Sequence, residues 1–121
     1  MIEGSANIVP LRIIRIAKDL SMEEMANNFM VTKAYISAVE KGDRKMKIQT
    51  LKFGLDNMNI NLDDYFQLEK FSEELLDSEL SNSDKFKFML IKTLGIVSIK
   101  LKVKSEEILE KYYNNRNGRN I

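Results

Sequence analysis

Apolar residues fall at helical spacing through the first half of the chain. Leu11, Ile14, Ala17 and Leu20 share one face, while Arg12, Arg15 and Lys18 fall on others. Pro10 stands at the first helical position, where its missing N–H would be unpaired in any case. Ser21 and Glu24 have the spacing of a reciprocal capping box and open a second helix with Met25, Ala26 and Phe29 on its apolar face. Thr32 caps a third, which carries Tyr35, Ile36 and Val39 and stops at Gly42, a natural left-handed terminator. After a charged loop, Asp43 to Lys47, the residues Ile48, Leu51, Leu55 and Met58 mark a fourth helix. A short closing helix holds Ile60, Leu62, Tyr65 and Phe66, with Asn61 as its cap and Asp63 and Asp64 in its first turn. Five such helices joined by brief loops predict a compact all-α bundle.

The pattern changes after about Leu68. Phe71, Leu75 and Leu76 suggest another helix, and Ser83 and Asp84 are placed to cap a further one bearing Phe86, Met89, Leu90 and Leu94. Residues 96–104 admit two readings. The helical pattern continues through Val97 and Leu101, yet Ile99, Leu101 and Val103 alternate with Lys100, Lys102 and Lys104, which is strand periodicity. Helix is the preferred reading. Ser105 opens a last helix with Ile108, Leu109, Tyr112 and Tyr113 on one side, and residues 115–121 read as a flexible tail.

Residues Leu20 to Gly42 are the most specific stretch. Two helices that cross closely need a small residue in the first, and Ala26 supplies it. The sharp turn lies at Phe29 to Thr32. Val31, Ile36 and Val39 anchor the second helix, and Lys33, Ala34, Ser37, Ala38 and Lys41 leave its outer face short or polar. Such a helix is suited to the major groove of DNA.

Composition narrows the function by exclusion. Hydrophobic residues make up 44% and charged residues 31% of 121 residues, as in an ordinary globular chain. The formal net charge is only +1, so a nucleic-acid reading must rest on local placement of charge. The chain has no Cys and no His. That removes disulfides, thiolate or imidazole metal sites, a Cys nucleophile and a His base. The acid pairs Glu23/Glu24, Asp63/Asp64, Glu73/Glu74 and Glu106/Glu107 sit near helix starts, where they oppose the helix dipole rather than form acid–base couples. The methionines read as gap-fillers of the core. The expectation is therefore a non-enzyme with no cofactor and no metal. MIEGSANIVP does not read as a secretory signal, and Phe86 to Val103 is broken by four lysines, short of the roughly 18 apolar residues of a membrane span.

The segment Leu11 to Phe66 resembles the lambda repressor/Cro-like helix-turn-helix family (xenobiotic-response-element-type regulators). The shared motifs are Ser21-Met-Glu-Glu-Met-Ala26, Thr32-Lys-Ala-Tyr-Ile-Ser-Ala-Val-Glu-Lys-Gly42, the basic loop Arg44 to Lys47, Thr50-Leu51 and Leu62-Asp-Asp-Tyr-Phe66. They cover just under half the chain without a gap. The resemblance implies a five-helix DNA-binding domain over residues 7–67, a small helical C-terminal region over 68–114, and a cytoplasmic transcriptional regulator, a repressor, that binds a palindromic double-stranded DNA operator as a homodimer.

Carried over by position, Lys33, Ala34, Ser37 and Ala38 would meet base edges. Met22, Thr32, Tyr35, Lys41, Arg44, Lys45 and Lys47 would lie along the sugar-phosphate backbone. Glu40 reads as a structural residue. Two positions depart from the family. Met22 replaces the usual Gln, and Met30 replaces the usual turn glycine, which implies strain if a positive φ is kept. Phe86, Leu90, Leu94, Val97, Leu101, Ile108 and Tyr112 are too many apolar residues to leave in water and predict a dimer interface, with packing on the N-terminal domain as the other option. The alternative function is a protein-interaction module of antitoxin or anti-repressor type, with the helix-turn-helix kept as a scaffold and the C-terminal helices holding a protein partner.

Overall fold

The computed structural model describes residues 7–97. They form an all-helical structure: α1 (Pro10–Ala17), α2 (Met22–Phe29), α3 (Lys33–Glu40), α4 (Ile48–Asn57), α5 (Leu62–Leu76) and α6 (residues 82–97), with no strand among them. The helical reading of 96–104 is met at residues 96 and 97. The rest of that segment, the last expected helix and the tail lie outside the described residues.

The caps follow the local chemistry. Ser21 Oγ accepts from the Glu24 N–H at 3.0 Å, and the Ser21 N–H donates to Glu24 Oε1 at 2.9 Å. Both orphan donors at that helix start are thereby satisfied. Thr32 Oγ1 accepts from the Tyr35 N–H at 3.1 Å, and Asn61 Oδ1 from the Asp63 N–H at 2.7 Å. The start of α6 corrects the expectation. Ser81, not Ser83 or Asp84, supplies the cap, its Oγ accepting from the Asp84 N–H at 3.1 Å.

Four helices end in the same way. Asp19 (φ 55), Met30 (φ 54), Gly42 (φ 81) and Asn59 (φ 57) follow α1 to α4 in the left-handed conformation. In each case the next N–H reaches back five residues: Leu20 to Arg15, Val31 to Ala26, Asp43 to Ala38, and Ile60 to Leu55. These bonds satisfy carbonyls that a helix end would otherwise leave open. Asp and Asn tolerate the conformation through their short polar side chains. Met30 has no such excuse, and its side chain is 79% exposed, so no packing holds it there.

The core joins all six helices. Leu11, Ile14, Met25, Phe29, Ile36, Leu55, Leu68 and Met89 are buried in one cluster. Phe29 lies flat against Gly54 of α4, so closely that a Cβ at 54 would overlap its ring. The sequence reading divides the chain between 67 and 68, whereas α5 runs unbroken across that point. It contains no Gly or Pro, and Tyr65, Leu68, Ser72 and Leu75 continue one buried stripe. Phe86 and Leu90 of α6 pack against the same core. Arg12 of α1 lies 5.7 Å from the Phe86 ring centroid and Lys92 of α6 lies 5.5 Å from that of Phe71, cation–π contacts that reinforce the docking.

Candidate nucleic-acid interface

The helix α3 is held by its inner side. Ile36, Val39 and Glu40 are buried, while Lys33 and Ala34 are exposed and Ser37 and Ala38 half-exposed. Residues 33, 37 and 41 stack four apart, as do 34 and 38, so these side chains and exposed Lys41 share one wall about two turns long. The Thr32 cap fixes the start of that wall.

Cations surround it. Arg44, Lys45 and Lys47 are exposed on the loop between α3 and α4. The Arg44 guanidinium lies 4.3 Å from the centroid of Tyr35, a half-buried residue of α3. That contact ties the loop to the helix. Met22 stands apart from this group. It is half-buried and packs against the core, and a thioether donates no hydrogen bond, so only its backbone N–H could meet a phosphate.

The sequence reading correctly treats Glu40 as structural but misses its partner. Glu40 is 2% exposed, and Arg15 of α1 grips it through two bonds, Nε to Oε2 at 2.7 Å and Nη2 to Oε1 at 2.9 Å. Arg15 Nη1 also donates to the Leu20 carbonyl at 3.1 Å, closing the turn into α2. The hydrogen bond to Glu40 holds the guanidinium above its ordinary pKa, against the smaller opposing pull of burial. The signal available in the sequence is an acid at the last position of a helix with an exposed face, with an arginine on the helix that must pack behind it.

The model of the helix-turn-helix family matches residues 11–64. Over that segment, just under half of the chain, the sequence is similar to a helix-turn-helix domain of the Cro/C1 type. No curated protein and no solved structure matches the chain. This likeness suggests a DNA-binding transcriptional regulator, and α3, which carries the exposed wall, stands as the second helix of the matched segment. None of the helices among the described residues is long and apolar enough to cross a membrane.

The residues expected at a dimer interface separate into three groups. Phe86 and Leu90 are half-buried against the domain's own core and Val97 is buried, so these three are covered within the chain. Leu94 is exposed, together with Phe88 and Ile91 on the outer side of α6. Leu101, Ile108 and Tyr112 lie outside the described residues.

Proposed function

We propose that the protein is a sequence-specific, double-stranded-DNA-binding repressor that works in the cytoplasm as a homodimer on a palindromic operator. The observation that carries this reading is the single exposed wall of Lys33, Ala34, Ser37, Ala38 and Lys41, flanked by Arg44, Lys45 and Lys47. Segment 32–41 enters the major groove. Lys33 donates to guanine O6/N7, Ser37 bonds a base edge, and Ala34 and Ala38 meet thymine methyl groups. Thr32, Tyr35, Lys41, Arg44, Lys45, Lys47 and the Met22 amide meet the sugar-phosphate backbone and set the register. Residues 7–67 read DNA and residues 68–114 pair the protomers, which suits the two-fold symmetry of a palindrome.

Fluorescence anisotropy with the DNA upstream of its own gene tests this. Affinity falls steeply with salt. Lys33→Ala costs about 1–3 kcal/mol and relaxes base preference. Lys45→Ala weakens binding to all sequences alike and lowers the salt slope by about one. Operator preference unchanged in the Lys33 variant would reject α3 as the reading helix.

The exposed stripe of Phe88, Ile91 and Leu94, with the apolar Met22 at the start of α2, favours a second reading. In it the domain is a scaffold for a protein partner of antitoxin or anti-repressor type. Absence of DNA binding at low salt would support that reading over the first.

A further inference from the structure

Behind the basic loop lies a cleft whose apolar interior plays no part in the DNA-binding reading, although Arg44 and Lys45 are common to both. It has a volume of about 350 Å³, at the lower end of the range of small-ligand sites and equal to roughly a dozen waters at ~30 Å³ each. Its floor is apolar, formed by Val39, Leu51 and Met46, and its rim carries Ile48 and Phe66, which are 49% and 41% exposed. Arg44 and Lys45 stand at one side with Glu69 as the acid among the lining residues, so the local balance is cationic.

Tyr65 supplies the polar point of the cleft. It is 6% exposed, lines the cleft, and its hydroxyl makes no hydrogen bond among the described residues. No buried side-chain polar atom among the described residues lacks a partner, so this hydroxyl reaches solvent, on a residue that lines the cleft. Burial first, and the charge of Glu69 second, push the phenol above its ordinary pKa, so at neutral pH it remains a donor. A phenol, a guanidinium and an ammonium on residues that line one largely apolar cleft are a set that a carboxylate satisfies, with the ligand's body against the hydrophobic wall.

We propose that this cleft binds a small monocarboxylate with a compact apolar body, and that its occupancy weakens DNA binding. The coupling runs through Arg44. Arg44 is among the residues that line the cleft, and its guanidinium lies over Tyr35 of α3. A carboxylate that engages Arg44 and Lys45 draws them from Tyr35 and from the phosphates they would neutralise. Linkage makes the effect reciprocal, so DNA weakens the acid to the same extent. The binding half stands on the cleft alone, and the coupling half rests on the repressor reading.

Amide NMR on the full chain separates the two. Sodium benzoate and sodium hexanoate are titrated at constant ionic strength, with benzamide and sodium chloride as controls. The two acids are expected to shift the resonances of Val39, Met46 and Tyr65 saturably, and the controls are not. Tyr65→Phe keeps the ring, and so the fold, but lowers acid affinity about tenfold or more, the loss expected for a hydrogen bond to a charged group. No saturable shift, or equal binding of benzamide, overturns the site. Shifts at these residues that follow protein concentration without acid would place a second copy there and overturn it too. In a second arm, saturating benzoate lowers the DNA affinity of the unaltered chain severalfold and its salt slope by about one, and Tyr65→Phe needs about tenfold more benzoate for the same effect. Acid binding with unchanged DNA affinity overturns the coupling. Failure of DNA binding altogether overturns the repressor reading and the coupling with it, while the NMR arm still decides the cleft.

Discussion

Replacing Arg15 by Met tests whether the Arg15–Glu40 pair fastens α3 to α1. The two ends of the pair differ in their access to water: Arg15 is 17% exposed and Glu40 is 2% exposed. Arg15→Met leaves a carboxylate that has lost both of its hydrogen bonds and cannot reach solvent. Breaking a buried pair in this way costs about 3–5 kcal/mol. Glu40→Met leaves a guanidinium that keeps its bond to the Leu20 carbonyl at 3.1 Å and can turn outward. That loss belongs to the lower class of about 1–3 kcal/mol. The double variant removes both charges and replaces them with apolar volume, which is often close to neutral. Urea unfolding followed by circular dichroism measures all four proteins at one pH. The expected order is Arg15→Met least stable, Glu40→Met intermediate, and the double variant within about 1 kcal/mol of the starting chain. Equal costs for the single variants, or additive costs in the double, would refute the claim that Glu40 is confined by burial and held by Arg15 alone.

Three further changes probe local structure. Gly54→Ala places a methyl group in the Phe29 ring, so it destabilises by about 1–3 kcal/mol despite the ~1 kcal/mol gain in helix propensity, and Phe29→Leu in the same chain recovers part of the loss in thermal unfolding. Met30→Gly relieves a left-handed residue whose side chain is 79% exposed. The relief of about 1 kcal/mol or more exceeds the extra freedom glycine gives the unfolded chain, so Tm rises; a fall in Tm would contradict the assigned conformation. The backbone N–H of Ser21, and then its hydroxyl, hold the Glu24 carboxyl below its ordinary pKa of 4.5. The stability this gives is present above that value and lost as pH falls through the lower folded one, so the advantage of the unaltered chain over Glu24→Gln shrinks from about pH 6 to about pH 3. A difference in Tm independent of pH would reject the capping carboxylate.

The domain of residues 11–64 was legible because local chemistry and periodicity agree there. Ser21, Thr32, Asn61 and Gly42 act where their residue types place them, and the buried positions of α2 and α3 follow the apolar spacing. Long-range pairing was not legible. Spacing places Arg15 off the apolar face of α1 but cannot name its acid, which lies 25 residues away on another helix. Gly54 gave no local cue, since only the tertiary approach of Phe29 requires it. The same holds for the left-handed Asp19 and Asn59, which look like ordinary polar loop residues. The closing helix ending near Phe66 and the separate helix of Phe71, Leu75 and Leu76 are one helix, α5, because the residues between them, Gln67, Glu69 and Lys70 among them, are good helix formers. The apolar face of α6 admitted either a dimer interface or packing on the N-terminal domain, and Phe86 and Leu90 pack on the core.

The uninterrupted rod of α5 has a thermodynamic consequence. Its first turns line the wall of the cleft and its last turns carry Leu75 into the cluster that receives Met89. A shortened chain ending near residue 67 would therefore not be a free-standing reading head, because it would strip Leu68, Leu75 and Met89 from the interior at a stroke. A contact made on the outer side of α6 would therefore bear on the packing of α1 to α4 as well, and the described portion should melt in one cooperative step.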